Sequence, residues 1–259
     1  MQLVHSMESF TVVSALSFFI LGSILASFAG VIAERLGTGQ SFLKGRSRCN
    51  ACNRHLTTPD LIPIVSYLIQ FGRCRMCSAR VTYRYIVSEL ILGSVFLLLY
   101  LTYGLTFILV PILVFTFLLS IVIVYDLRHT IVPFWLSLVL VGLGVVISYL
   151  ETASLRELSS VFLTAGGIAL FFYLLHVLSR GRWMGLGDTP IALALSLVTG
   201  AQAISGLLFS FWTGAVVGIV ILVLTPPSRR MGIEVPFVPF LAFGYFLALI
   251  TQWNPLHFI

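Results

Sequence analysis

Two aspartates, Asp126 and Asp188, stand at the ends of apolar runs in a chain that is 59% hydrophobic and only 9% charged. A carboxylate at membrane depth is costly and marks a functional site by default. A pair of carboxylates suggests one chemistry in particular. Two nearby acids that share a proton can activate a water with one member and protonate an amide nitrogen with the other, which is peptide hydrolysis without a metal. Asp188 closes the run Met184-Gly185-Leu186-Gly187-Asp188, and Asp126 follows the apolar run that begins at Thr106. Gly185 and Gly187 are expected to let the backbone approach a substrate closely or take positive φ. Taken singly, each acid also has a plainer reading: Asp188 as the cap of the following helix, with Pro190 in its first turn, and Asp126 as a loop-edge residue beside Arg128.

The second constellation is made of sulfur. All four cysteines fall in one polar segment, as Cys49-x-x-Cys52 and Cys74-x-x-Cys77. Two such pairs converging would supply four thiolates in a tetrahedron, a closed and therefore structural zinc site. Two disulfides or a redox pair are the alternatives, and reducing conditions on the cytoplasmic side disfavour the first.

Both constellations must be positioned by membrane elements. A soluble domain carries about 25% charged residues, so this chain of 259 residues reads as an all-α polytopic membrane protein. Runs of about 20 apolar residues are long enough to span. Eight approach that length, at about 10–33, 85–103, 106–125, 132–150, 159–178, 189–204, 207–224 and 236–253. The sixth and seventh are short, with a weak break at Ala203-Ile204-Ser205-Gly206. The residues before the first run, Met1 to Glu8, include no lysine or arginine, so that run reads as a retained helix rather than a cleaved signal. With the amino terminus outside, fourteen of the fifteen Lys and Arg residues fall on inside loops, nine of them from Arg35 to Arg84 and two at Arg229 and Arg230. The positive-inside rule then puts both termini outside and the cysteine loop, Asp126 and Asp188 at the cytoplasmic face. The net charge of +6 is explained by this orientation and does not imply nucleic acid. The expected division is a first helix at 1–33, a cytoplasmic four-cysteine loop at 34–84, and a seven-helix membrane domain at 85–259.

Four stretches resemble the type IV prepilin leader peptidases, which share a Gly-x-Gly-Asp aspartate with presenilin-like intramembrane proteases. They are Ser27-Phe28 with Glu34-Arg35-Leu36; the loop from Arg46 through Cys77, with Asp60-Leu61-Ile62-Pro63, Ser66-Tyr67, Tyr83-Arg84-Tyr85 and Glu89-Leu90; Asp126-Leu127-Arg128-His129 with Ile131-Val132-Pro133; and Met184 to Asp188. Pro236-Phe237-Val238-Pro239-Phe240 resembles the entry to the family's last helix. The resemblance implies a membrane aspartic endopeptidase that removes the short basic leader of prepilins or pseudopilins after a glycine, at the cytoplasmic face of the bacterial inner membrane. It also implies methylation of the new amino terminus with S-adenosylmethionine. The catalytic pair carries over onto Asp126 and Asp188, and the thiolates onto Cys49, Cys52, Cys74 and Cys77. Three positions depart from the pattern: Thr189-Pro190 stands where many relatives have Val-Lys, Phe134 follows the proline of the first segment, and Gly30 replaces an asparagine. No glycine-rich fingerprint for the methyl donor is visible.

Glu89, near the start of the second span, is expected to pair with Arg84 or Arg80, or to shape a substrate or methyl-donor site. His129 reads as an interface residue, and His176 as a hydrogen-bonding partner of another helix. Two further functions compete. A transporter would use the acids as a proton relay, but such relays sit near the membrane midplane. A zinc-loop scaffold would leave the pairing of aspartates unexplained.

Overall fold

The structure, a computed structural model, describes residues 2–41, 45–226 and 235–253. Arg229 and Arg230, used above to orient the chain, lie outside the described residues. Among those described, every regular element is helical: α1 (Gln2–Arg35), α2 (Val65–Ile69), α3 (Arg84–Tyr103), α4 (Leu109–His129), α5 (Phe134–Glu151), α6 (Leu155–Ser179), α7 (Asp188–Thr199), α8 (Ala203–Leu224) and α9 (Val238–Thr251). Each of the eight apolar runs forms a helix. Six helical stretches are long and apolar enough to cross a membrane, and one of them, Asp188–Leu224, comprises α7, a short 3₁₀ turn and α8. The break between α7 and α8 falls at Gly200–Gln202, ahead of the segment expected from sequence. Gly200 makes it by taking φ of 53°, where a side chain is disfavoured.

Two compact units emerge, Met1–Leu109 and Val110–Ile259. In the first, α1 packs along α3. Small residues let the backbones meet: a Cβ on Gly22 would lie 2.7 Å from the Leu92 carbonyl oxygen, and one on Gly93 would meet Ser23. Ser23 Oγ donates to the Glu89 carbonyl at 3.1 Å.

In the second unit, α7 packs against α5, α6, α8 and α9. Its twelve residues span roughly 18 Å at 1.5 Å per residue. From Ile191 to Thr199 all but Leu193 are buried. That explains an apolar run with no polar face: neighbours surround it. Polar contacts fix its rotation. Ser148 of α5 donates to the Leu197 carbonyl at 2.6 Å, and the Ser196 and Tyr245 hydroxyls bond at 2.8 Å between α7 and α9. Glycines again bring α8 and α9 together, with Gly206 against the Tyr245 ring and Gly244 against Ser210. Leu163, Val223 and Leu224 point outward from α6 and α8 and are at least 72% exposed, an apolar surface suited to lipid.

Candidate active site

Asp126 lies in the last turn of α4, on the face that carries the buried Ile112, Phe115, Leu119 and Val122. The i, i+3, i+4 spacing of these residues drives the carboxylate inward. Its side chain accepts a hydrogen bond from the Val238 backbone N–H, in the first turn of α9. That N–H belongs to the group left without an intrahelical partner at any helix start, and it sits at the positive end of the helix dipole. The other carboxylate oxygen, Oδ2, is buried and has no partner. A carboxylate anchored through one oxygen, with the second free in a buried space, is arranged to hold a proton or a water.

Asp188 is also buried, at 8% exposure. It does not cap α7. Gly187 occupies the cap position with helical φ and ψ, and Asp188 is the first helical residue. Its carboxylate instead accepts from the Gly185 N–H and interacts electrostatically with Asp126. Pro190 falls in the first turn, where its missing N–H costs nothing. Beside it, Thr189 Oγ1 is a second buried oxygen without a partner.

Neither glycine takes positive φ, and only Gly187 acts by close approach. Gly187 has φ of −64°, and a Cβ there would lie 2.7 Å from Val132 Cβ. The Asp188 segment therefore docks directly on the segment that follows Asp126. Gly185 has only ordinary contact, its Cβ position lying 3.7 Å from Asp188 Oδ2. From the other side, His176 Nδ1 donates to the Met184 carbonyl at 3.0 Å, tethering the start of the same loop to α6. Its partner is thus a loop carbonyl and not another helix. His129 stacks at a tilt on Tyr125, with ring centroids 4.5 Å apart. Val132, His176, Thr189 and Val238 escaped notice as site residues. Val132 and Val238 fall in stretches that carry the family resemblance, Thr189 at a departure from it, and His176 among the expected hydrogen-bonding residues, but no pattern in the sequence ties any of them to the aspartates.

The four cysteines also converge. They are free thiols whose sulfurs all lie within 4.8 Å of one another, with Cys49 and Cys77 at 3.8 Å. A tetrahedron with Zn–S bonds of about 2.3 Å has edges of about 3.8 Å, so the set fits one divalent ion. Each Cys-x-x-Cys forms the same turn. Cys49 N–H donates to the Arg54 carbonyl and Asn53 N–H to Cys49; Cys74 N–H donates to Ala79 and Ser78 N–H to Cys74, all at 2.9 Å. Asn53 and Ser78 occupy matching left-handed positions. Backbone N–H groups of Cys52 and Ala51 lower the Cys49 thiol, and those of Cys77 and Met76 bring Cys74 down to about 6. At these two positions the lowered thiols favour metal binding, whereas Cys77, beside the other three thiols, is pushed up to about 11.

Glu89 is buried, yet among the described residues its partners are neither Arg84 nor Arg80. Its Oε2 accepts from the Ile64 N–H at 2.7 Å, and the Ser27 hydroxyl also bonds it. The expected ion pair is replaced by a tie between α3 and the cysteine loop, because the loop folds an amide onto the acid that sequence proximity had assigned to arginine.

The chain is similar to a prepilin leader peptidase/N-methyltransferase of Bacillus subtilis (strain 168), with 31% identity over 236 residues, covering 90% of this chain and 92% of that protein. The chain belongs to the type IV leader peptidase family. The profile described as the type IV leader peptidase family matches residues 112–223, and that of the bacterial peptidase A24 N-terminal domain matches residues 20–103. Proteins of the same name in Myxococcus xanthus (strain DK1622) and Dichelobacter nodosus are 32% and 28% identical, over 82% and 79% of this chain and 64% and 70% of those proteins. No solved structure gives a significant match.

Proposed function

We propose that this protein is a membrane aspartic endopeptidase that removes the basic leader of prepilins or pseudopilins at the cytoplasmic face of the bacterial inner membrane, and then methylates the new amino terminus with S-adenosylmethionine. The observation that carries the reading is the meeting of Asp126 and Asp188, held by Val132 against Gly187 and by the Val238 N–H. The two acids share one proton. The ionised member takes a proton from water as it attacks the scissile carbonyl carbon. The protonated member gives its proton to the departing amide nitrogen. Gly185 and Gly187 shape the loop that carries Asp188, and Glu89 shapes the region next to the cysteine loop.

The reading takes both termini to lie outside. On the positive-inside rule, that orientation would put Asp126, Asp188 and Val238 at the cytoplasmic face, where a basic leader would arrive. Peptidase chemistry is assigned to the membrane domain at 85–259, and methyl transfer is associated with the loop at 34–84. Cys49, Cys52, Cys74 and Cys77 hold one structural zinc, which crosslinks a loop too small to bury a core of its own.

Mass spectrometry of a prepilin incubated with the protein in membranes tests the proposal. It should show loss of the leader after the glycine, and a methyl group on the new terminus when S-adenosylmethionine is supplied. An uncut prepilin would refute the peptidase; a cut but unmethylated one would refute the second activity.

A further inference from the structure

The cysteine loop carries charge that catalysis does not use. Between Glu34 and Glu89 its one carboxylate is Asp60. That acid is taken: it accepts from Arg54 at 2.8 Å, lies 3.4 Å from Arg75, and also accepts from Thr57 and Gln70. Arg73 and Arg80 have no such partner among the described residues. They are directly opposite each other in an antiparallel bridge. The flanking bonds, Cys74 N–H to Ala79 and Val81 N–H to Gly72, make them a non-hydrogen-bonded pair, the closest cross-strand spacing. Like charges so placed repel. Both line an open groove with Tyr67, Phe71 and Tyr83, and an anion there would relieve the repulsion.

Beside the groove lies an apolar surface. Leu68 is 60% exposed, Ile69 65% and Phe71 88%, with Val65 on the same short helix at 46%. The position of this helix is fixed. Ile64, at its start, takes φ of 63° and ψ of −54° with Val65 N–H donating to Pro63 at 2.6 Å, a strained γ-turn for a β-branched residue. The Ile64 N–H is bound to Glu89, the sixth residue of the spanning helix α3. This bond therefore ties the start of α2 to the second turn of a membrane helix.

We propose that this surface docks on the acidic leaflet of the membrane: Val65, Leu68, Ile69 and Phe71 insert among the acyl chains, and Arg73 and Arg80 grip anionic lipid phosphates. Charge complementarity favours lipid over the substrate leader, which is itself basic. The docking would fix the cysteine loop against the bilayer, beyond what its two tethering helices achieve.

Amide hydrogen exchange on the full-length protein in nanodiscs tests this independently of cleavage and of orientation, because both leaflets of a disc have the same composition. Residues 65–71 should exchange roughly thirtyfold more slowly in discs containing phosphatidylglycerol than in neutral phosphatidylcholine discs, as two surface cations at about 1 kcal/mol each would give. Arg73→Gln/Arg80→Gln should lose that difference, and Arg73→Lys/Arg80→Lys should keep most of it, while α1 and α3 exchange as in wild type. Equal exchange in the two lipids would overturn the proposal. So would protection that survives Arg73→Gln/Arg80→Gln, or that appears only when an acidic peptide is added.

Discussion

Four carboxylates show how differently the same group is held. Asp126 has one oxygen on a helix-start N–H and the other unpartnered; Asp188 turns back to the Gly185 N–H; Glu89 receives a loop amide. Asp60 is the opposite of the first, saturated by donors. Burial alone would raise it, but the Thr57 N–H and hydroxyl, followed by the Arg54 and Arg75 charges, outweigh burial and hold it below the ordinary carboxylate value. A depressed value in the fold means that its stabilising contribution is complete above the unfolded value, about 3.9, and fades as pH falls through the lower folded value. Asp60→Asn should therefore lower the unfolding temperature by roughly a few degrees at pH 7, with the gap to wild type closing below about pH 4. Melting curves of the two proteins in detergent check this; a gap of equal size at both pH values would contradict it.

At the scale of elements, the helices were legible and their partners were not. Apolar runs locate eight of the helices, since runs of that kind have few other uses in a protein with this little charge. The turn between α7 and α8 was misplaced by a few residues because one glycine at positive φ breaks a helix more sharply than the Ala203–Gly206 stretch. The two aspartate segments announced themselves by motif. What holds them did not, because Val132, His176 and Val238 are ordinary residues made significant by contacts between distant segments. Gly187→Ala should lose at least about tenfold in cleavage, since a Cβ 2.7 Å from Val132 Cβ displaces the Asp188 loop. Val132→Gly should restore much of the loss, whereas Val132→Ala, which keeps the offending Cβ, should not. Kinetics of the two double variants decide it, and rescue by both would remove the steric argument. The twin cysteine turns were legible from spacing, but their matched left-handed residues, Asn53 and Ser78, were not. Elemental analysis should find about one zinc per chain, falling to near zero in Cys49→Ser; a folded, metal-free wild type would refute the site.

The whole molecule combines a small, metal-suited loop on two packed helices with a bundle whose short inner helix, α7, carries an acid at its start. Each acid is costly in apolar surroundings, and each meets only one backbone N–H donor, from Val238 for Asp126 and from Gly185 for Asp188. The bundle nevertheless brings both to one place and leaves an oxygen of Asp126 without a partner. That arrangement has a use if the pair divides one proton between attacking water and leaving nitrogen. The direct test is the cleavage rate of one prepilin in membranes holding matched amounts of wild type, Asp126→Asn and Asp188→Asn. The account predicts that each substitution lowers the rate by on the order of 10³-fold or more while the protein still inserts; near-wild-type cleavage by either variant would contradict it.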